Sequence, residues 1–388
     1  MNSRQRFELV VADLSLRFFN GLLRLLAWLS FRRLRQSPQK ILVYKLGNIG
    51  DVVCAVPSFN AIRKNYPKAE ITLLSSPGRR GAPGASELLK YSPSFDRQRI
   101  YYSDEINSFS GIKNLWRELR LEKFDLFIQL PDDWANFRTL ARNIIFAKTI
   151  GVRSAFGFFL RTSNLFKKTQ VDWRPLQKNE VESLLAILSA NGVIADEPDF
   201  DFGDTSIEKE IAENFLREKF GGIQDKLIGF NLGAKRPANQ WGDNNFLQVA
   251  AYLQEKHGFS LIFFGGLGEK ERNDKLIELL PWRDRAFNLA GTADLLTSRE
   301  LMKKCIFLVS NDTGAAHLAA SVGVPVVGIY NLRNILGKWF PYGKNNKIVF
   351  HRFATCDYHQ EECLEKSLRS VTIEEVLAAC RDLLKKNG

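Results

Sequence analysis

The sequence predicts an α/β protein built as two halves, each a parallel sheet covered by helices. Three observations predict it. Short apolar runs alternate with helical segments along the chain after Lys40, the pattern of parallel strands joined by crossover helices. Two glycine-containing turns, KLGNIGD at Lys45–Asp51 and NDTGAAHLAA at Asn311–Ala320, each follow an apolar run and each open a helix. The length, 388 residues, suffices for two separate cores.

In the first half, Ile41–Tyr44 reads as a strand and Asp51–Asn65 as a helix with Asp51 at its N-terminal end. Ile71–Ser75 is a second strand, followed by a Gly/Pro/Arg loop at 76–85. A helix around Lys113–Glu122 precedes a strand at Phe124–Gln129, and Trp134–Thr149 reads as helix. The stretch Arg161–Glu210 is polar and irregular apart from a helix around Glu180–Ala190, so the boundary is placed there, giving domains of 41–205 and 206–388. In the second half, Leu227–Asn231, Leu261–Phe264, Phe307–Ser310 and Val326–Tyr330 are buried strands, with a helix at Phe246–His257. The closing helix, Ile373–Lys385, is amphipathic and could pack back on the first half. No repeat or low-complexity stretch is visible.

A formal net charge of +12 predicts a polyanionic partner: nucleic acid, anionic lipid or a phosphorylated substrate. Five cysteines are too few for a disulfide scaffold and suit a reducing compartment. Residues 1–40 carry eight Lys/Arg against two acidic residues, around an apolar stretch too short and too interrupted to span a bilayer. On a helical wheel Asp13, Arg17, Asn20, Arg24 and Ala27 share one stripe, with Leu14, Phe18, Leu22, Leu25, Leu26 and Leu29 off it. This is a basic amphipathic helix suited to a membrane interface, with Trp28 as anchor; the competing reading is a helix packed on the protein's own surface or on a partner.

The chemistry concentrates in the two turns. A Thr-Gly pair opening a helix presents unpaired N–H groups and the positive end of the helix dipole, which hold phosphate. Asp312 and His317 stand beside that turn. Two such loops in separate halves suggest a nucleotide-linked substrate gripped in a cleft. His351, Cys356, His359 and Cys363 are tempting metal ligands, but their spacings match no standard zinc site and a plain loop is expected. Cys54 and Cys305 read as core.

LGNIGDVVCAVPSFNAIRKNYPKAEITLL resembles the N-terminal signature of the heptosyltransferase family, glycosyltransferase family 9. The resemblance continues in order at NLGAKRPANQWGDNNF, FFGGLGEKE, SNDTGAAHLAASVGVPVVGIY and SLRSVTIEEVLAAC, covering the chain from Ile41 onward. It implies a GT-B fold, two Rossmann-like domains facing across a cleft. It also implies transfer of a sugar, here heptose, from a nucleotide diphosphate such as ADP-heptose. The acceptor would be a lipopolysaccharide core or other lipid-linked oligosaccharide, with inversion and with neither metal nor cofactor.

Residue by residue, the resemblance makes Asp51 the general base, a carboxylate that takes the acceptor hydroxyl's proton as attack proceeds; the plain alternative is a helix cap. Lys45, Gly47, Asn48 and Gly50 form the loop around it on the acceptor side. Pro57 falls inside the helix, as in the family. Asp312, Thr313, Gly314, Ala315 and His317 map onto the donor-binding turn, Glu269 onto the residue that accepts from ribose hydroxyls, and Leu296 onto a backbone contact to the base. Lys235, Arg236, Asn239 and Trp241 lie in the donor loop after Leu227–Asn231. The family's lysine is replaced by Asn239, and its Gly-Pro-Thr turn by Asn331-Leu332-Arg333; Lys235, Arg236 or Arg333 could supply the missing cation.

The leading expectation is an inverting glycosyltransferase on the inner face of the cytoplasmic membrane. There Arg79, Arg80 and Arg138 would steer a phosphorylated acceptor and the N-terminal helix would meet anionic lipid. A non-catalytic nucleotide-sugar-binding protein on the same fold is the alternative. A Rossmann dehydrogenase fits poorly, because KLGNIGD lacks the GxGxxG spacing, and nucleic-acid binding has only charge in its favour.

Overall fold

The computed structural model describes residues 3–34, 36–132, 135–161, 178–195, 197–221, 226–331, 333, 336–351 and 360–387. The chain separates into two compact units, the first ending at Gly203 and the second beginning at Asp204, with Asn179 counted in the second.

The first unit holds a five-stranded sheet in the order β3-β2-β1-β4-β5. Its strands are β1 (Lys40–Tyr44), β2 (Glu70–Gly78), β3 (Arg97–Tyr102), β4 (Leu126–Gln129) and β5 (Ser154–Phe156). Every pairing is parallel. Ile41, Leu42, Val43 and Leu126–Ile128 are buried because helices cover both sheet faces. Strand order reverses between β1 and β4, the point at which an open parallel sheet leaves a crevice beyond its strand ends. The loops that follow β1 and β4 carry Lys45–Asp51 and Asp132.

The second unit holds six parallel strands in the order β11-β10-β9-β6-β7-β8. They are β6 (Leu227–Asn231), β7 (Ser260–Phe264), β8 (Ala286–Asn288), β9 (Cys305–Asn311), β10 (Val326–Ile329) and β11 (Lys347–Val349). Here the reversal lies between β6 and β9, the strands that feed the Lys235–Trp241 loop and the Asn311–Ala320 turn. The closing helix, Ile373–Asn387, contributes to the second unit's core. Val376, Leu377, Cys380 and Leu383 join the cluster of Phe230, Phe246 and Val327 in the second. Cys54 and Cys305 are buried, as core cysteines should be.

The strand from Ile71 runs on to Gly78, into the expected loop, and pairs with β3 through a register shift between Ser75 and Gly78. The expected start of the next helix at Trp134 lies outside the described residues; the helix is described over Phe137–Thr149. Four strands, β3, β5, β8 and β11, were not expected; three have three residues, and β3 reads RQRIYY without an apolar run.

The N-terminal helix, Ser3–Ser30, docks on the first unit. Leu16 and Leu23 are buried, and Phe19 and Ala27 pack beside them near Leu140 and Ile144. Asn20, drawn from the polar stripe, turns inward: its Nδ2 donates to the Leu160 carbonyl at 3.1 Å and its Oδ1 accepts from the Leu160 N–H at 2.8 Å. The stripe is therefore divided: Asp13, Arg17 and Arg24 stay exposed while Asn20 is buried. Phe18 and Trp28, 63% and 69% exposed, lie outward with Phe7, Leu14, Leu25 and Leu29. No helix among the described residues is long and apolar enough to cross a membrane.

Asn20→Ala would strand both backbone groups of Leu160 away from water. It is expected to cost about 1–3 kcal/mol, read as a lower midpoint in denaturant unfolding; an unchanged midpoint would show the helix contributes nothing through this contact.

Candidate functional site

In the first unit the turn after β1 is built around one carboxylate. The helix spans Ile49–Asn65, two residues earlier than expected, with Asn48 as its cap. Asp51 is therefore not the cap but the third helical residue, and its Oδ2 accepts from the Asn48 N–H at 2.9 Å. Gly47 makes this possible. Its φ is +144°, and an added Cβ would sit 2.2 Å from the Asp51 Cβ. Pro57 lies within the helix and is buried.

Asp51 keeps a partly exposed edge while the rest of its side chain is enclosed. Burial pushes its carboxyl above the ordinary carboxylate value, opposed by the charge of Lys45 and the Asn48 N–H and reinforced by Glu180 and Asp132. Lys45, from the loop expected around Asp51, is buried: its side chain is 1% exposed, and Nζ lies 3.9 Å from Glu180 Oε1. Arg161, also buried, pairs with the other oxygen of Glu180. Sequence reasoning missed both: Arg161 falls in a stretch read as an irregular boundary, Glu180 opens the helix read within it, and nothing local marks either as buried.

In the second unit the ends of β6, β7 and β9 meet. Thr313 caps the helix Gly314–Ser321 with extended backbone, and Asp312 to Ala315 are partly exposed. The N–H groups of this first turn have no partner within the helix. Thr313 Oγ1 accepts from Asn231 Nδ2 at 3.2 Å and lies 3.3 Å from Ser310 Oγ. The same Asn231 amide also donates to the Gly233 carbonyl at 3.3 Å. Gly233 in turn lies against Glu269, where a Cβ would fall 1.3 Å from Oε1. Glu269 Oε2 accepts from the Gly266 N–H at 2.6 Å. Thr313, Asn231, Gly233 and Glu269 thus form one continuous edge. Leu296 is in the first turn of the helix Leu295–Met302, its side chain buried.

Three of the residues expected on the donor side have partners within the protein. Trp241 is 2% exposed, and its Nε1 donates to the Val371 carbonyl at 2.8 Å, so it supports the loop from within the core. His317 is 5% exposed and edge-on to Trp339; burial lowers its pKa to about 4, so it is neutral at pH 7 and brings no counter-charge. Asn239 Oδ1 accepts from Asn331 Nδ2 at 2.9 Å, joining the two positions where the chain departs from the family pattern.

The cations are next to that pair. Lys235 and Arg236 are exposed. Arg236 and Arg333 approach the same carboxylate, Glu361, at 3.9 Å and 3.5 Å. Burial and the charge of Arg236 lower the Arg333 pKa, partly offset by Glu361 and Asp312. Two guanidiniums are thus drawn together over Glu361, with the charge of Asp312 also acting on Arg333.

No group of three or more potential ligands that could hold a metal occurs among the described residues. Cys356 and His359 lie outside them, and His351 is engaged by Ser370 Oγ at 2.9 Å and Glu375 Oε1 at 2.8 Å.

Residues 112–368 match the sequence model of Glycosyltransferase family 9 (heptosyltransferase). The lipopolysaccharide core heptosyltransferase OpsX of Haemophilus influenzae is 23% identical over 319 residues, 81% of this chain and 85% of that protein. Among solved structures, the glycosyl transferase family 9 protein of Veillonella parvula superposes with a TM-score of 0.70 at 23% identity, covering 92% of this chain and all of that one. The E. coli ADP-heptose lps heptosyltransferase II superposes at 0.64 and 21% identity, covering 90% of this chain and 99% of its own.

Proposed function

The chain belongs to glycosyltransferase family 9, the heptosyltransferases, has the GT-B type of fold and is a glycosyltransferase; we propose that it moves heptose from ADP-heptose to a lipopolysaccharide core acceptor, with inversion and with Asp51 as general base. The observation that carries the proposal is the state of Asp51. It is a carboxylate fixed at a strand-to-helix turn, enclosed on most sides yet open at one edge, in a chain of this family. The donor and acceptor follow from the names of the relatives, OpsX and the ADP-heptose enzyme.

In this reading the acceptor oxygen attacks the anomeric carbon of the donor and passes its proton to the Asp51 carboxylate. The bond from that carbon to the diphosphate oxygen breaks, and the electron pair leaves with the nucleoside diphosphate. Attack from the face opposite the leaving group inverts the configuration. A general base contributes typically 10²–10⁴-fold. The growing charge on the diphosphate falls to the amides of Thr313, Gly314 and Ala315 and to the Arg236–Arg333 pair, which replaces the lysine lost at Asn239. Glu269 accepts from the ribose hydroxyls. These groups supply the counter-charge without a metal ion in the scheme.

The exposed apolar face of the Ser3–Ser30 helix, flanked by Arg17 and Arg24, is assigned to an anionic membrane surface at the inner face of the cytoplasmic membrane.

Asp51→Asn keeps the shape and removes the base; kcat should fall by roughly 10²–10⁴-fold in a transfer assay with donor binding retained, and full activity would remove Asp51 from this role. In a thermal-shift comparison ADP should raise Tm more than UDP or GDP, and Arg236→Ala or Arg333→Ala should weaken that shift; equal shifts from all three nucleotides would remove adenine recognition. Replacing Phe18 and Trp28 together with Ser should reduce binding to vesicles containing anionic lipid, and undiminished binding would reassign the helix.

A further inference from the structure

The turn that carries Asp51 begins at one of a set of buried charges that the proposed reaction does not use. Lys45 leaves the end of β1, where its N–H donates to the Leu74 carbonyl at 3.1 Å, and its side chain turns into the protein. There Nζ faces Glu180 at 3.9 Å and, among the described residues, donates no hydrogen bond. Glu180 opens the helix Glu180–Ser189 that packs along the Ile49–Asn65 helix. Arg161, from the segment after β5, closes the row on the other carboxylate oxygen. Lys45, Glu180 and Arg161 are each at most 5% exposed, so none reaches a substrate in this conformation.

Keeping such a row inside a protein is costly. Each ion loses hydration worth several kcal/mol, and apolar residues of the same volume would serve stability as well or better. A row of this kind is informative where it acts on something. Lys45 begins the turn in which Asp51 stands six residues on, and the helix that Glu180 opens packs along the helix that carries Asp51 and Cys54; in that setting the charge of Lys45 lowers the Asp51 pKa and that of Glu180 raises it. Asp132, after β4, also acts on Asp51.

We propose that Lys45, held by the Glu180–Arg161 pair, is a positioning residue that sets the charge state of the Asp51 carboxylate. The inference rests on Asp51 being the base. Lys45 favours the ionised carboxylate, the form that can take a proton, and Glu180 works against it while fixing where the ammonium sits. The two residues therefore pull Asp51 in opposite directions, a property that ordinary structural support lacks.

The test is the acid limb of kcat/KM against pH in the full-length enzyme. Removing the cation in Lys45→Met should move the limb to higher pH, with a loss of about tenfold on the acid side. Removing the anion in Glu180→Gln should move it to lower pH, and the double variant should return it toward wild type. Lys45→Arg, which keeps a cation, should leave the limb near its wild-type position. Where Glu180→Gln fails to fold, judged by circular dichroism, the comparison of Lys45→Met with Lys45→Arg decides. A limb unmoved in Lys45→Met, or moved the same way by both single changes, overturns the proposal. An active Asp51→Asn would instead remove the base itself, so the two failures are separable.

Discussion

Each unit depends on one constraint of parallel sheets: every strand ends at the same edge. Parallel pairing forces each connection to cross back over the sheet, so the turns that leave the strands gather on one side. In the first unit that edge brings together the turns after β1 and β4, and with them Lys45, Asp51 and Asp132. In the second it brings together the ends of β6, β7 and β9, which lie more than 30 residues apart from one another in sequence. Asn231, Gly233, Glu269 and Thr313 touch for that reason. Neither cluster could be assembled by local sequence alone.

The two edges use glycine in the same way, as an absent side chain. Gly47 makes room for the Asp51 carboxylate and Gly233 for that of Glu269. In each case a carboxylate is held by a backbone N–H close to its own turn, from Asn48 in one and Gly266 in the other. A carboxylate tied to the backbone at a fixed distance from a sheet end is a rigid acceptor. Rigid acceptors discriminate hydroxyl groups by position, because a sugar held elsewhere leaves the desolvated carboxylate without a partner.

The central strands were legible because they are buried on both faces and read as apolar runs: Ile41–Tyr44, Leu227–Asn231 and Leu261–Phe264 all lie in sheets. The edge strands were not. β3 has only Ile100, Tyr101 and Tyr102 after three polar residues, and β5, β8 and β11 are too short for any period to show. At the candidate site the turn residues Asp51, Thr313 and Gly314 were legible from their motifs. The inward turns of Lys45, Trp241, His317 and Asn20 were not, since a polar or amphipathic side chain gives no sign of which way it faces until a distant partner is known. Those partners, Glu180 for Lys45, Val371 for Trp241 and Leu160 for Asn20, are each more than 100 residues away.

The departures at Asn239 and Asn331–Arg333 looked from the sequence like two independent losses. Structurally they are one change. Asn331 reaches back to the Ala238 carbonyl at 2.7 Å and to the Asn239 side chain, so the segment after β10 is tied to the loop after β6. That tie carries Arg333 to the side of Arg236, over Glu361. A single flexible lysine is a point charge, whereas two guanidiniums offer planar donors that match phosphate oxygens in pairs. Glu361 Oε1 lies within ion-pair reach of both, at 3.9 Å from Arg236 and 3.5 Å from Arg333. The two departures from the family pattern therefore belong to one set of contacts, in which the tie between Asn331 and Asn239 stands beside the two arginines that share Glu361.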